Sequence, residues 1–208
     1  MRFNSKRIST IVFESVLIIF SVLLALFLSE LRNIQKEEAL KEKALLNIRS
    51  ELANNQLILG DRLKTHIEIR DNVRDLLKSG ITPIITDSLF SGELGFDIFY
   101  FTSSGSIAPE LLKDAAWNAA QNANIISTFP YEIILAVSNA YDSQNLVEFR
   151  IIELVKFILT DRETLDKDQI NKTLIILRDY FSELVANEEY LNIQYELALE
   201  EMDKRTDE

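Results

Sequence analysis

The sequence predicts an all-α fold in which an N-terminal transmembrane helix continues into a long stalk helix and an antiparallel helical bundle domain. Three observations predict this class. An apolar run lies near the start of the chain, strong helix formers fill residues 29–77, and apolar residues repeat in heptads over residues 170–202. One Gly/Pro-rich loop segment interrupts the helices, because residues 79–109 hold four of the five glycines and two of the three prolines.

These patterns divide the chain into four segments. Residues 1–31 are predicted to form an N-terminal tail and the transmembrane helix. Residues 32–78 continue as a juxtamembrane long helix, and residues 79–109 form the loop-rich segment. Residues 110–208 are predicted to form a helical bundle, whose long C-terminal helix packs back on residues 32–78.

Charge and composition exclude several classes of function. The net charge is −11, and residues 33–208 hold 18 basic and 31 acidic side chains. An acidic domain repels phosphate, so we expect no nucleic-acid partner. The chain has no cysteine, which excludes disulfides, thiolate zinc sites and cysteine nucleophiles.

Residues 8–28 are long enough to span a bilayer, at roughly 31 Å for a helical rise of 1.5 Å per residue. The preceding "MRFNSKR" is basic, and no pair of small residues after the apolar run provides a cleavage site. We therefore predict an uncleaved signal anchor in the inner (plasma) membrane. Basic residues stand on both sides of the span, and the short basic tail favours a cytoplasmic N-terminus with the C-terminal domain extracytoplasmic.

A carboxylate lies within this apolar run. Glu14 shares one helical face with Thr10, Ser21 and Ala25, while the opposite face is Val, Ile, Leu and Phe. Small and hydroxyl residues on one face are typical of helix packing in lipid. Three interpretations stay open: Glu14 specifies assembly with another helix, lines a proton or cation path, or reaches towards headgroups.

The run "ESVLIIFSVLLALFLSEL" resembles the start of an uncharacterised group of small bacterial single-pass membrane proteins. Glu14, Ser21, Ala25 and Leu26 match the pattern of that group. The chain departs from it at Ser21, where glycine is common, and at Leu31, where tryptophan is common. The later run "DAAWNAAQNANIISTFPYEIILAVSNAYDSQN" is also similar to a segment of these proteins. The resemblance implies a membrane-anchored helical domain and brings no known activity.

The loop-rich segment contains "FDIFYF", a candidate binding loop made of Phe96, Phe99, Tyr100 and Phe101. Aromatic side chains near glycines are suited to contact a ligand. The alternative is a lid that closes the end of the bundle, with the three phenylalanines buried. A short β-hairpin is a further alternative for this segment.

Two prolines mark the helices that follow. Pro109 is predicted to begin a helix that carries Trp117 as a core anchor, since proline is favoured at the first helical position. Pro130 begins the next helix, with a break near residues 141–145 left open. Its later half, residues 149–159, is apolar on most faces and is predicted to lie at the centre of the core.

The last helix, predicted to begin near Asp166, has the most regular pattern in the chain. Positions separated by alternating steps of four and three are apolar except for Glu188, a sustained heptad stripe typical of coiled coils. Glu188 either sets the register of the helices by pairing with a basic residue such as Arg49, or occupies an exposed position. The stripe consists of Ile170, Leu174, Leu177, Phe181, Leu184, Glu188, Leu191, Tyr195, Ala198 and Met202.

No catalytic motif is present, and we expect no enzyme activity, no cofactor and no metal site. The single histidine, His66, is predicted to be solvated or salt-bridged, with Arg62, Glu68 and Asp71 within reach, because it has no second histidine or thiol to share a metal with. The predicted function is a membrane-anchored interaction, scaffold or sensor module. It would oligomerise or join a membrane-protein partner in the lipid bilayer through its transmembrane helix. The alternative is a subunit of an ion- or proton-conducting assembly that uses Glu14.

Overall fold

The computed structural model describes residues 5–91, 96–108, 110–160, 165 and 167–204, with side chains from residue 13 onward. No β-strand occurs in these ranges, and the predicted all-α class is confirmed. The α-helices are α1 (Ser5–Ser79), α2 (Pro83–Leu89), α3 (Ala115–Asn122), α4 (Tyr131–Thr160) and α5 (Ile170–Asp203), and 3₁₀ turns cover Ile98–Phe101, Ile125–Thr128 and Lys167–Gln169.

The chain divides into two compact units, Met1–Ala44 and Leu45–Glu208. In the first unit, the described side chains from Phe13 to Leu40 are all exposed. One helix in the described part of the chain is long and apolar enough to span a membrane. Near the N-terminus it contains an 18-residue window with a mean hydropathy of 2.1, of which 0% is buried. The structure therefore agrees with the sequence prediction in one respect: an apolar helix near the N-terminus is long enough to span a membrane.

The helix α1 passes through Gly60 without interruption. Nothing lies within 4 Å of the Cβ that an alanine would add there, so close packing does not require this glycine. The helix ends where Gly80 adopts a φ of 87°. Residues that carry a side chain rarely adopt this positive φ. In this conformation the Gly80 amide donates to the Leu76 carbonyl oxygen at 3.1 Å.

In the second unit, α5 runs antiparallel to α1. The guanidinium of Arg49 contacts the carboxylate of Asp203, near the C-terminal end of α5. Further along α1, His66 contacts Glu188, which lies earlier in α5. These contacts fix the relative direction of the two helices within the unit.

The helix α4 completes the set of three long helices. Its Arg150 pairs with Glu183 of α5 at 2.7 Å, and the rings of Phe157 and Tyr180 lie 5.3 Å apart. Because the residue numbers rise on α4 as they fall on α5, the two helices are antiparallel. It follows that α4 and α1 run in the same direction.

The heptad stripe of α5 is the apolar centre of the second unit. All ten of its predicted positions are buried, including Glu188. The alternative that Glu188 is exposed is wrong. Its carboxylate pairs with a basic residue of α1, but that residue is His66 and not Arg49. The described helix begins at Ile170, and Asp166 lies outside the described residues.

The helix predicted to begin at Pro109 begins instead at Ala115, and Pro109 lies outside the described residues. The backbone just before Ala115 is held by side chains of other helices. The Leu112 amide donates to Glu148 at 3.2 Å, and the Lys113 amide donates to Asn55 at 2.9 Å. Tertiary contacts thus replace the first turn that helix propensity favours.

Trp117 is buried, as predicted. Its ring stacks on Tyr141 with centroids 5.5 Å apart and an interplanar angle of 8°. The contact joins α3 to α4.

The prediction for the later half of α4 is wrong. The helix is continuous through residues 141–145, and only one of its faces is buried, by residues such as Ile151 and Leu154. The helix α5 packs against α4, and in the described part of the chain the other face of this half is exposed. The exposed apolar side chains are Phe149 (53%), Ile152 (63%), Val155 (37%) and Leu159 (55%).

The loop-rich segment contains two short helical pieces. The Thr82 hydroxyl accepts from the Ile85 amide and caps α2, whose first residue is Pro83. The Asp97 carboxylate accepts from the Phe99 amide and caps the 3₁₀ turn that follows. No described residue of the segment forms the β-hairpin that the sequence left open.

Candidate functional site

The apolar part of α1 carries the polar and small residues that the sequence singled out. Glu14, Ser21 and Ala25 are exposed, and their spacing places them on one helical face. The Ser21 hydroxyl donates to the Leu17 carbonyl oxygen at 2.8 Å, so its own helix satisfies this donor. Glu14 forms no ion pair with any residue that the structure describes. Thr10 lies outside the residues whose side chains are described.

The candidate binding loop has two faces. Phe96 (7% exposed) and Phe101 (2% exposed) point into the second unit, with ring centroids 6.4 Å apart. Phe99 and Tyr100 are about half exposed, at 45% and 47%. The loop therefore closes over the core with two rings, as a lid does, while Phe99 departs from the lid prediction by facing outward.

A feature that sequence reasoning did not single out joins this loop to α1. Residues 101–108 and 110–116, here called the strap, run alongside α1 in the opposite direction. Six α1 side chains, here called the polar ladder, bond backbone atoms of the strap. They are Glu51, Asn55, Arg62, His66, Glu68 and Asn72.

Asn55 makes the most complete of these contacts. Its side-chain oxygen accepts from the Lys113 amide at 2.9 Å, and its amide group donates to the Lys113 carbonyl oxygen at 2.6 Å. The same amide group donates to Gln144 of α4 at 3.0 Å, and Gln144 also accepts from the Tyr195 hydroxyl of α5 at 2.6 Å. One buried asparagine thus joins the strap to two long helices.

The ends of the strap are held in the same way. At its start, the Asn72 amide donates to the Phe101 carbonyl oxygen at 2.8 Å, and Glu68 accepts from the Thr102 hydroxyl at 2.7 Å. At its end, Glu51 accepts from the Ala116 amide at 2.9 Å. Backbone groups that the irregular strap leaves without helical partners are therefore bonded by side chains.

Arg62 is a cation buried at the middle of the ladder, with 0% of its side chain exposed. Its Nη1 donates to the Glu148 carboxylate at 2.8 Å, and its Nη2 donates to the Glu110 carbonyl oxygen. A buried guanidinium requires such a counter-charge, because an unpaired buried charge is strongly destabilising. Its Nε has no hydrogen-bond partner in the described part of the chain.

His66 and Glu188 form a second buried pair, both with 0% exposure. The His66 Nε2 lies 2.9 Å from the Ile107 carbonyl oxygen, which only accepts, so Nε2 carries a proton. The Nδ1 lies 2.9 Å from both carboxylate oxygens of Glu188. A second proton therefore lies between Nδ1 and the carboxylate, and the pair as a whole is neutral whichever group carries it.

The predicted salt bridge of His66 is thus present, with a partner different from the ones expected. Arg62, Glu68 and Asp71 bond other groups. The actual partner, Glu188, is 122 residues away along the chain. Contacts at this separation leave no signal in the spacing of one helix.

Two buried tyrosines extend the network. Burial, together with the hydrogen bond to Glu51, raises the pKa of Tyr141 above its ordinary range. Burial, with Glu148 nearby, also raises the pKa of Tyr195. Both hydroxyls remain protonated at physiological pH and act as hydrogen-bond donors.

The side chains of this arrangement hold the polypeptide backbone of the strap in place. Most of its polar groups are bonded to other groups of the same chain. In the described ranges, no group of three or more His, Cys, Asp or Glu residues is placed to hold a metal ion. The polar ladder therefore fixes the position of the strap, and the strap carries the aromatic lid.

Comparison with known proteins gives no relative: no family model, curated protein or solved structure matches the chain.

A signal for the ladder is present in the sequence. Glu51, Asn55, Arg62 and His66 follow one another at steps of four, seven and four, which places four polar residues on one helical face. On a helix whose other stripe is apolar, such a face is ordinarily solvated. The sequence does not reveal that the strap covers it.

Proposed function

We propose that the protein is a membrane-anchored helical interaction module, which assembles through its membrane-spanning helix with a second copy or a membrane-protein partner. The observation that carries this proposal is the apolar window of α1, of which 0% is buried by the chain itself. Along this window Glu14, Ser21 and Ala25 share one face. The scaffold or sensor role belongs to the same class, since each requires contact with another chain.

Physical chemistry favours a protein partner for this face. A carboxylate among lipid chains is costly, at about 2.5–3.5 kcal/mol at the bilayer centre on insertion scales. Contact with a polar group of a neighbouring helix reduces that cost. Small side chains such as Ser21 and Ala25 allow two helices to approach closely, which strengthens their packing.

We further propose that the N-terminus is cytoplasmic and that the acidic bundle is extracytoplasmic, at the inner (plasma) membrane. The basic residues of "MRFNSKR" support this orientation. Because the chain lacks cysteine, a single Asn139→Cys variant reports it directly. A membrane-impermeant maleimide should label this exposed position in intact cells that have a permeable outer layer. Labelling only after lysis would indicate the opposite orientation, with the bundle in the cytoplasm.

The assembly is tested by disulfide formation in membranes of cells that express single-cysteine variants. Ala25→Cys should form a cross-link under mild oxidation, either to a second copy or to a partner carrying a cysteine. Leu23→Cys is the matched control, since it lies on the opposite face of the same turn. Adding Glu14→Leu should reduce cross-linking at position 25 several-fold.

Two results would contradict the proposal. Equal cross-linking at positions 23 and 25 would show random collision, and a strictly monomeric protein in mild detergent without any co-purified partner would show no assembly. A separate result concerns the anchor. Release of the full-length protein from membranes by alkaline washing would show that the protein is not anchored in the bilayer.

A further inference from the structure

The helix α5 is apolar on two opposite faces. One face is the buried heptad stripe. The other carries Tyr190, Ile193 and Leu197 at steps of three and four, with 55%, 50% and 50% of each residue exposed. These positions lie opposite the buried stripe, where a helix with one partner ordinarily has polar residues.

Acidic side chains border this outer face. Between residues 180 and 203 the helix has seven acidic residues and no Lys or Arg. Glu189, Glu196 and Glu200 are exposed beside the apolar positions. Within the described ranges, neither Glu189 nor Glu200 forms an ion pair. The face thus combines apolar anchors with a border of exposed acidic side chains.

We propose that this face binds a basic amphipathic helix of a partner protein. The outer face of α5 is defined here by Ala186, Tyr190, Ile193, Leu197 and the bordering Glu189, Glu196 and Glu200. Anchors at i, i+3 and i+7 suit a helix laid along α5, and residues 186–200 extend over roughly 21 Å. Lysine or arginine at the edges of such a helix complements the acidic border.

The same charge disfavours a second α5 as the occupant. Two α5 outer faces would place like charges against each other, which opposes association. The exposed apolar face of α4 does not select a partner in this way. Arg150, Glu153 and Lys156 give it both signs of charge.

The test uses the full-length protein in phosphatidylcholine nanodiscs. An Ala186→Cys variant carries an environment-sensitive fluorophore, which is the only label because the chain has no cysteine. The probe is an 18-residue helical peptide of leucine and lysine, with leucine at i, i+3 and i+4. Saturable binding should change the fluorescence, and a peptide with glutamate in place of lysine should bind at least about tenfold more weakly. Nanodiscs without protein give the background.

Matched variants locate the binding. Leu197→Ser should weaken binding about five- to tenfold, since it removes a half-exposed anchor, whereas Leu135→Ser on α4, equally exposed at 49%, should change it less than about twofold. Glu189→Gln with Glu200→Gln should weaken binding and reduce its salt dependence. Asp61→Asn with Asp75→Asn on α1 makes the same change of charge as a control.

Three outcomes would overturn the proposal. The first is an unchanged label at saturating peptide, and the second is equal weakening by the α5 and control variants. The third is a disulfide-linked dimer of unlabelled Ala186→Cys, which would place a second copy on this face. None of these outcomes depends on the membrane-spanning helix. The binding proposal for α5 and the proposed function are therefore tested independently.

Discussion

The two halves of α1 carry polar residues on one helical face with opposite results. In the apolar half near the N-terminus, Glu14 and Ser21 are exposed. In the other half, Asn55 and His66 are buried and bonded to the strap. The difference teaches that a polar stripe on a helix indicates a contact, while the rest of the chain decides whether the partner is internal. For the second half the partner is the strap, whereas no described residue outside α1 bonds Glu14 or Ser21.

The comparison is sharpest at the buried pair of His66 and Glu188. Replacing Glu188 with alanine leaves the His66 ring buried without its partner, and we expect a loss of about 3 kcal/mol in the free energy of unfolding. The measurement is urea unfolding in mild detergent. It is followed by the fluorescence of Trp117, the only tryptophan and a buried one.

The control removes both partners. His66→Leu with Glu188→Leu should recover at least half of that loss, because neither polar group is then left unpaired. Glu14→Leu, in the other half of α1, should not change the unfolding of the bundle by more than about 0.5 kcal/mol. A similar loss of unfolding free energy for Glu14→Leu would contradict the stated difference between the two halves of α1.

Asn55 gives the next largest effect. Asn55→Leu should destabilise the bundle by about 2 kcal/mol, since it leaves the Lys113 amide without its acceptor. The Lys113 carbonyl oxygen still accepts from Gln144 at 3.2 Å. Hydrogen exchange should become faster in residues 110–116. Asn54→Leu is the matched control, because the neighbouring asparagine is exposed. Unchanged exchange at the strap would show that the ladder does not hold it.

The smallest effect belongs to an ion pair on the surface. The hydrogen bond and charge of Arg49 lower the pKa of Asp203, and the same contacts raise the pKa of Arg49. Because the folded pKa of Asp203 lies below its unfolded value, the pair stabilises above about pH 4. That contribution is lost as the pH falls through the folded pKa.

Both side chains are nearly half exposed, so the contribution at pH 7 should be at most about 0.5 kcal/mol. The check is the difference in free energy of unfolding between wild type and Arg49→Gln. It should shrink between pH 5 and pH 3. A constant difference over that range would assign the effect to packing of the arginine stem.

Patterns within one helix could be predicted from the sequence. The buried stripe of α5 follows from a repeat that needs no knowledge of its partner. Pro130 correctly marks the start of α4 at Tyr131. Such features depend on residues close together along the chain.

Features that depend on distant residues were predicted poorly. The start of α3 moved from Pro109 to Ala115 because Asn55 and Glu148 hold the preceding backbone. The partner of His66 lies in another helix for the same reason. The apolar later half of α4 was assigned to the core, although hydrophobic composition alone does not say how many neighbours a helix has.

The candidate site shows the same limit. The aromatic loop can be recognised from composition, but composition does not show which two rings face inward and which two face outward. The polar ladder has a readable spacing on α1, and its occupant is an irregular segment without periodicity. Side chains that bond to backbone atoms leave no complementary pattern in the segment they hold.

That last property has a consequence for sequence variation. The polar ladder bonds peptide groups, which almost any amino acid supplies. Much of the strap can therefore change in sequence while its backbone keeps the same path. The α1 side chains have no such freedom. Among natural variants of this chain, we expect residues 103–106 to diverge quickly and positions 55, 62 and 66 to stay fixed.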